Sequence, residues 1–421
     1  MIKKILVSAC LLLSFISFAQ EGSYSPYSFY GIGDQRFKGT VENRSMGGLT
    51  IFPDSIHINI QNPASFSSLK LTTFTIGGTS SWADLTTEQK SEQAKRVVLD
   101  YLAVGLPVGQ KWGVSFGLMP YTSVGYKIRT EVLLPDDEVS TRSFSGTGGL
   151  NRVFAGVGYK MTKNFRIGID LNYNFGNIET TVTQRVFGVQ FGTREQNITE
   201  VRGMSMNAGL MYEGKINKTL RAFAGVTYTP GTKLSADNII RLNTVQFQNS
   251  GATVVVDSIP GVRSKLDLRL PTRFSIGGGL GEPTKWQVGA EVTFQDYKDQ
   301  ANRFDSGNFT NVGFENAIKY SIGGYYIPNY NSFSSYLSRV TYRAGGRYEN
   351  TGLVINAQSI HDAAGTVGLG LPIGGAFSNV NIGLEYGKRG TKAYGLVEEK
   401  YFNLSVGLSF NDRWFVRRKY D

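Results

Sequence analysis

Residues 165–175 decide the fold, and they read Phe165-Arg166-Ile167-Gly168-Ile169-Asp170-Leu171-Asn172-Tyr173-Asn174-Phe175. Every odd-numbered residue is apolar, and every even-numbered residue is polar or glycine. Successive side chains of a β-strand point to opposite faces, so this alternation predicts a strand with one apolar and one polar face. Its length is about that of a tilted strand crossing a bilayer.

The same alternation recurs along the chain. It is strong in residues 286–294, 380–386 and 402–410. It is weaker in ten other segments, which are residues 72–81, 100–107, 113–121, 149–160, 202–215, 220–228, 271–280, 317–326, 340–348 and 362–371. The total of about fourteen is even, as in single-chain bacterial barrels. We predict an all-β fold, a transmembrane antiparallel β-barrel over residues 71–416, with a soluble β-sandwich or β-solenoid as the alternative.

Connection lengths predict the orientation of this barrel. Links after odd-numbered strands are long, as in 123–148, 176–201, 229–270 and 297–316, whereas links after even-numbered strands are mostly short. Short periplasmic turns and long extracellular loops are typical of the outer membrane. We therefore expect a multi-pass protein of the cell outer membrane with both termini in the periplasm.

The first residues indicate export. Lys3 and Lys4 precede an apolar run that ends in a small-residue cleavage site at Ala19, which predicts a signal peptide over residues 1–19. Cys10 lies in a stretch similar to a lipoprotein box, but the apolar run continues past it. After cleavage no cysteine remains, which excludes disulfides and thiolate chemistry.

The chain is basic, with 44 Lys and Arg against 33 Asp and Glu. The charges do not cluster into a stripe, so nucleic acid is not an expected partner. Outer-membrane lipid and lipopolysaccharide are the expected partners of a basic surface. Residues 417–421 form a basic C-terminal tail, predicted to be periplasmic, which either contacts headgroups or serves as a docking tag.

Catalysis is not indicated. The only histidines are His57 and His361, and neither has a Ser or Asp placed beside it by strand spacing, so no catalytic triad can be assembled. No acidic or histidine pairs have the spacing of metal ligands. We predict no enzyme activity, no cofactor and no metal.

Charged residues on the polar faces of the strands predict a network inside the barrel. Asp170, Glu291 and Glu385 are inward-facing carboxylates, with Arg166 and Asn172 as neighbouring polar groups. Buried charges are costly unless they are paired, so we expect these residues to bind one another or the N-terminal segment. A role in gating is the functional alternative.

Residues 20–70 lack strand periodicity and are neither low in complexity nor strongly charged, which predicts a hatch folded inside the barrel. They contain Met46-Gly47-Gly48, preceded by Arg44-Ser45, and then Asn62-Pro63-Ala64. With about fourteen strands behind these elements, the chain resembles the FadL family of outer-membrane transporters. The resemblance implies a hatch that fills the lumen. It also implies hydrophobic solutes that leave through a gap in the wall.

One departure from that family leaves a second hypothesis open. In the FadL family the extracellular loops form an apolar groove, whereas residues 229–270 here are largely polar. The signal and the C-terminus look like those of Bacteroidota outer-membrane proteins, where PorV-type relatives serve the type 9 protein secretion system. The first hypothesis is therefore passage of small hydrophobic compounds. The second is a non-enzymatic interaction subunit, plug-like or shuttle-like, beside a larger secretion barrel, and an assembly or adhesion role remains.

Overall fold

A computed structural model describes residues 23–134, 138–248, 252–297, 311–373 and 378–414. The predicted signal peptide and the basic tail at 417–421 lie outside these residues. Within the described ranges, no helix is long and apolar enough to cross a membrane. The longest α-helix there is a single turn, Val41–Arg44, which we label α1.

Strands dominate the rest of the structure. In chain order they are β1 (Asp34–Gln35), β2 (Thr72–Thr86), β3 (Ser91–Val108), β4 (Trp112–Leu133), β5 (Val139–Lys160), β6 (Phe165–Val186), β7 (Phe191–Lys215), β8 (Arg221–Thr229), β9 (Thr232–Phe247), β10 (Thr253–Leu270), β11 (Thr272–Glu282), β12 (Trp286–Asp296), β13 (Val312–Phe314), β14 (Ala317–Tyr326), β15 (Thr341–Ile355), β16 (Gln358–Ile373), β17 (Ser378–Arg389) and β18 (Glu398–Asp412).

Fourteen of these strands form a closed antiparallel barrel. The ring takes β2 to β8 in order, passes to β11, β12 and β14, and continues from β15 to β18. Pairing of β18 with β2, from Glu398–Thr86 to Asp412–Thr72, closes it. Each barrel strand overlaps one of the fourteen segments predicted from alternation. The predicted fold class is therefore confirmed.

The exposure of the two faces of the barrel strands is the reverse of that in a soluble protein, because the apolar face is exposed and the polar face is buried. On β6 the apolar Leu171 and Tyr173 are 53% and 45% exposed, whereas the alternating Asp170 and Asn172 are each 1% exposed. β12 repeats the pattern with exposed Val288 and Phe294 and buried Gln287 and Glu291. An apolar outer surface around a polar interior is the arrangement that a lipid environment requires.

Three of the four predicted long loops are largely strand, which corrects the sequence interpretation, and most of the fourth, 297–316, lies outside the described residues. β4, β5, β6 and β7 run on, still paired, into residues 123–148 and 176–201. Most of 229–270 is the β9–β10 hairpin, which we call the flap. The flap adds to the end of β7, because β9 pairs with β7 from Phe191–Gln246 to Arg202–Ser235. The barrel thus has a short turn end and an extension end.

Candidate functional site

Residues of the predicted hatch bind inward-facing side chains from several sides of the ring. Arg389 on β17 donates to Asp34 at 2.7 Å, and Asn207 on β7 donates to the Gln61 carbonyl at 3.3 Å. Apolar hatch residues also pack on the wall, where Phe66 belongs to a buried cluster with strand residues. The segment is thus attached to the barrel at widely separated points.

Asn62-Pro63-Ala64 lies at the start of a short 3-10 helix, Pro63–Ser68. The Asn62 side chain caps this helix by accepting from the Ala64 amide at 3.1 Å, and its amide group donates to the Leu210 carbonyl on β7 at 3.4 Å. The turn presses on the wall at Gly168, where an added Cβ would overlap the Pro63 backbone. The element is therefore a cap that also fixes the hatch to β6 and β7.

Met46-Gly47-Gly48 forms a tight turn directly after α1. Gly47 and Gly48 have φ of 69° and 86°, a backbone conformation that favours glycine. The Gly47 amide donates to the Thr366 hydroxyl on β16 at 3.1 Å. Met46 lies against Gly323 on β14, so this turn fixes the hatch to the opposite part of the ring.

The three inward carboxylates predicted from sequence bind different partners and are not brought together. Asp170 accepts from Asn172 and from Asn207, with Lys38 of the hatch 3.9 Å away. Glu291 accepts from the Thr50 amide and hydroxyl of the hatch at 2.8 and 2.7 Å.

Glu385 instead accepts from Arg347 at 2.9 Å. Arg166 pairs with Glu213 on β7, at 2.7 Å, and with none of the three carboxylates. The polar network is thus several local pairs, two of which reach the hatch.

Arg347 on β15 is a charged centre that the sequence analysis missed. Besides Glu385, its guanidinium lies 3.2 Å from Asp362 and 3.5 Å from Glu349, and it donates to the Tyr401 hydroxyl at 2.7 Å. The sequence did contain a signal for Arg347, because this residue falls on the inward-facing side of the predicted strand at 340–348. The partners were not predictable, since three of the four lie on other strands, β16, β17 and β18, whose registers the sequence does not state.

His57 occupies a charged pocket of the hatch rather than a catalytic arrangement. Its Nδ1 lies 2.8 Å from Asp54, and its Nε2 lies 3.8 Å from Glu42. Burial by itself lowers the pKa of His57, but the two carboxylates outweigh burial and raise it above the usual value. His361, by contrast, stacks on Tyr348 with ring centroids 5.7 Å apart. Within the described residues, no three or more His, Cys, Asp or Glu side chains are grouped as metal ligands.

The barrel wall contains an open seam between β3 and β4. These strands pair only from Val108–Trp112 to Leu102–Leu118, although both continue towards the extension end. Beyond Leu118, the hatch takes the place of β3. Its strand β1 pairs with Thr122 and Ser123 of β4, and the Arg36 amide donates to the Tyr121 carbonyl at 2.9 Å.

Proline and glycine explain why the seam opens at this level. Pro120 lacks the N–H that a ladder needs, and the pairing of β4 with β5 is irregular between Pro120 and Thr122. Gly148 on β5, with φ of 105°, faces β6, where an added Cβ would overlap the Asn177 carbonyl oxygen. We infer that these residues bend β4 and β5 away from β3. Pro120 inside the predicted strand at 113–121 was a sequence signal for an unpaired edge, and no prediction was drawn from it.

Two cavities meet at the seam. One of about 380 Å³ is lined by Leu99 and Tyr101 of β3 and by Leu118 and Met119 of β4. The other, of about 240 Å³, lies in the lumen among charged side chains, and both are lined by Arg36 of the hatch.

The Nε and Nη2 atoms of Arg36 are buried and form no hydrogen bond within the described part of the chain. A compound moving between lumen and bilayer would pass this guanidinium.

Comparison with known proteins gives one family match and several structural likenesses. A family model described as BamG matches residues 1–421. No curated protein sequence matches the chain.

Solved structures of similar fold include two toluene transporters. TodX of Pseudomonas putida has a TM-score of 0.58 and 14% identity, covering 91% of this chain and 100% of its own. TbuX of Ralstonia pickettii has a TM-score of 0.57 and 13% identity, covering 89% and 99%. A FadL homologue of Pseudomonas aeruginosa has a TM-score of 0.58 and 10% identity, covering 90% and 98%. At these identities the likeness establishes the shared fold alone.

Proposed function

The chain belongs to the BamG family, and we propose that it is an outer-membrane β-barrel through whose wall small hydrophobic compounds pass. The observation that carries this proposal is the open seam between β3 and β4. A closed barrel pairs all its strands, because unpaired backbone groups at membrane depth are costly. A seam that ends in an apolar cavity is therefore a feature that needs a function.

In this proposal a compound enters from the extension end and leaves sideways through the seam. The cavity there is lined mainly by apolar side chains, including Leu99 and Leu118, and the barrel surface beside it is apolar. Lateral exit would let an apolar solute reach the bilayer without crossing water on the far side. The similar folds of two toluene transporters support the proposal that small hydrophobic compounds pass through this barrel.

The hatch strand β1 acts as the gate in this scheme. It holds the free edge of β4 through only two residue pairs, Asp34–Ser123 and Gln35–Thr122, and a short ladder can detach without unfolding the barrel. We propose that the hatch closes the lumen at rest and that movement of residues 34–36 opens the path. We also propose that the extension end faces outwards and that the turn end faces the periplasm.

A disulfide across this ladder tests the gate. In a background where Cys10 is replaced by serine, Q35C and T122C place two thiols at directly paired positions, a spacing that disulfides accept. T75C with S409C is the matched control, because that pair joins β2 to β18, which are already continuously paired. Uptake of labelled toluene is measured in host cells with a lipopolysaccharide outer leaflet, with and without reductant.

The proposal predicts that oxidised Q35C/T122C reduces protein-dependent uptake to the level of cells lacking the protein. Reductant should restore uptake, and the control pair should have no effect in either state. Equal uptake through the oxidised seam and the control, or no protein-dependent uptake at all, would rule out passage through this gate.

A second candidate is the non-enzymatic interaction subunit of a secretion translocon. The observation in its favour is the lumen cavity, which is lined by charged side chains such as Arg96, Asp100 and Glu399 rather than by a continuous apolar channel. Purification in mild detergent followed by mass spectrometry separates the two. Isolation with a much larger barrel supports the second candidate, and isolation alone with a bound hydrophobic compound supports the first.

A further inference from the structure

The flap is a side branch of the barrel. The chain leaves the ring after β8 and returns at β11, and beneath the flap these two strands pair directly, from Thr229–Arg273 to Arg221–Gly281. Because β9 lies against β7, the flap extends the sheet of β4 to β7 by two strands, and β10 is its outermost member. Tyr228 is an exposed ring at the end of β8, and exposed aromatic side chains at the ends of barrel strands usually mark the headgroup boundary. The flap therefore lies beyond the bilayer.

β10 carries an open edge in water. Within the described residues its only strand partner is β9. Almost all of its side chains are exposed, and they include the large apolar residues Val255, Ile259, Val262 and Leu266 at 48%, 56%, 65% and 50%. A long exposed edge with apolar side chains is a template for another strand.

The usable part of this edge is its second half. Pro260 offers no N–H, and the register with β9 is irregular between Ile259 and Val262, so the middle of the strand resists indiscriminate pairing. From Val262 to Leu270 the register with β9 is regular. An incoming strand would therefore meet a straight ladder along residues 262–270.

Charge specifies the occupant. Beside this ladder Asp267 is paired with Lys233 at 3.3 Å, and Asp237 is paired with Arg202 at 3.1 Å. No ion pair involves Arg263 or Lys265 in the described part of the chain, so two cations of the edge are available. An extended strand that carries carboxylates opposite them would gain charge complementarity as well as the ladder.

A symmetric pairing of two β10 edges from two copies of the chain does not fit. In a symmetric dimer, two copies share their orientation in the membrane only if the two-fold axis runs along the membrane normal. With such an axis, both β10 strands face each other with the same edge. The backbone N–H groups of one strand then lie opposite the N–H groups of the other. Antiparallel pairing would satisfy the hydrogen bonds but would invert one barrel in the membrane.

We propose that β10 binds an extended, acidic segment of a different protein by strand addition along residues 262–270, on the outer side of the membrane. This interaction is independent of whether the seam between β3 and β4 passes hydrophobic compounds. It requires only the folded flap.

Two synthetic peptides provide the test on the full-length protein in detergent. One alternates Val and Glu, and the other alternates Val and Lys. Peptide affinity is measured by fluorescence anisotropy, and amide hydrogen exchange locates the contact. R263E replaces one of the two edge cations by a carboxylate. R241E is the matched control, because Arg241 is an exposed arginine on β9 of the same flap.

We expect the acidic peptide to bind and to slow exchange of the amides of residues 262–270. R263E should weaken its binding about fivefold, because it replaces the attraction of an exposed charge pair by a repulsion, and R241E should not. Equal binding of the Lys peptide, absence of protection on β10, or equal losses in both variants would overturn the proposal. Cross-linking of β10 to a second copy of the chain would also overturn it.

Discussion

Replacing Arg389 by methionine should release the hatch from the wall. Arg389 donates to Asp34 at 2.7 Å and lies over the Tyr27 ring at 5.1 Å, so one side chain holds two points of the hatch. Both charged side chains are mostly buried, at 15% and 18% exposed. Removing one partner of a buried pair leaves the other charge uncompensated, which costs about 3 kcal/mol at the lower end of the usual range. Since about 1.4 kcal/mol is tenfold, the population of the detached hatch should rise on the order of a hundredfold.

A buried thiol can report that population. Ser28 in the hatch is fully buried, and S28C, with Cys10 replaced by serine, is labelled by a maleimide only when the hatch detaches. The control is K388M, because neighbouring Lys388 is half exposed and binds Glu398 rather than the hatch. We expect R389M to accelerate labelling about a hundredfold and K388M to leave it unchanged. An acceleration below about threefold, or one equal to that of K388M, would refute the reasoning that Arg389 holds the hatch.

Three further predictions follow from other contacts. G148A should reduce the folded fraction, assayed by heat-modifiable migration on gels, because its φ of 105° strains any other residue by about 1–3 kcal/mol, whereas G365A, whose Cβ would meet no atom within 4 Å, should not. E291A should lower the free energy of unfolding in urea by about 1.5–3 kcal/mol through loss of its two hatch hydrogen bonds, while E291Q should lose less, and equal losses would contradict a role as acceptor. The folded pKa of His57 is raised above its unfolded value, so its stabilisation is fully present below the unfolded pKa and is lost as the pH rises through the folded pKa. Labelling of S28C should therefore accelerate over that pH range, and H57Q should remove this dependence.

The barrel was predictable from sequence because lipid imposes a rule on every second residue. Leu171 and Tyr173 face outwards wherever β6 crosses the apolar layer, so alternation identified that strand and the other thirteen. The rule ends where the strands leave that layer. In residues 181–196 both faces are at least partly exposed, so alternation is lost, and the paired extensions over 176–201 were interpreted as loops.

The candidate site was less predictable for a different reason. A seam is a missing pairing between two strands, and each of them separately has an ordinary strand sequence. Only Pro120 marked the place, and its meaning depends on which neighbour β4 lacks. Likewise, alternation indicates that Arg347 and Glu385 both face inwards, but their contact depends on strand register and strand order.

Closure of the ring by β18 on β2 has a consequence for how the molecule is made. The hatch precedes β2 in the chain, yet it ends enclosed by strands that follow it, with Phe66 already pressed against the wall. Because the hatch presses directly on inward-facing glycines such as Gly168 and Gly323, a finished cylinder offers such a segment no easy route of entry. The strands must therefore close around an N-terminal segment that is already in position. This segment then acts as a template for closure of the barrel.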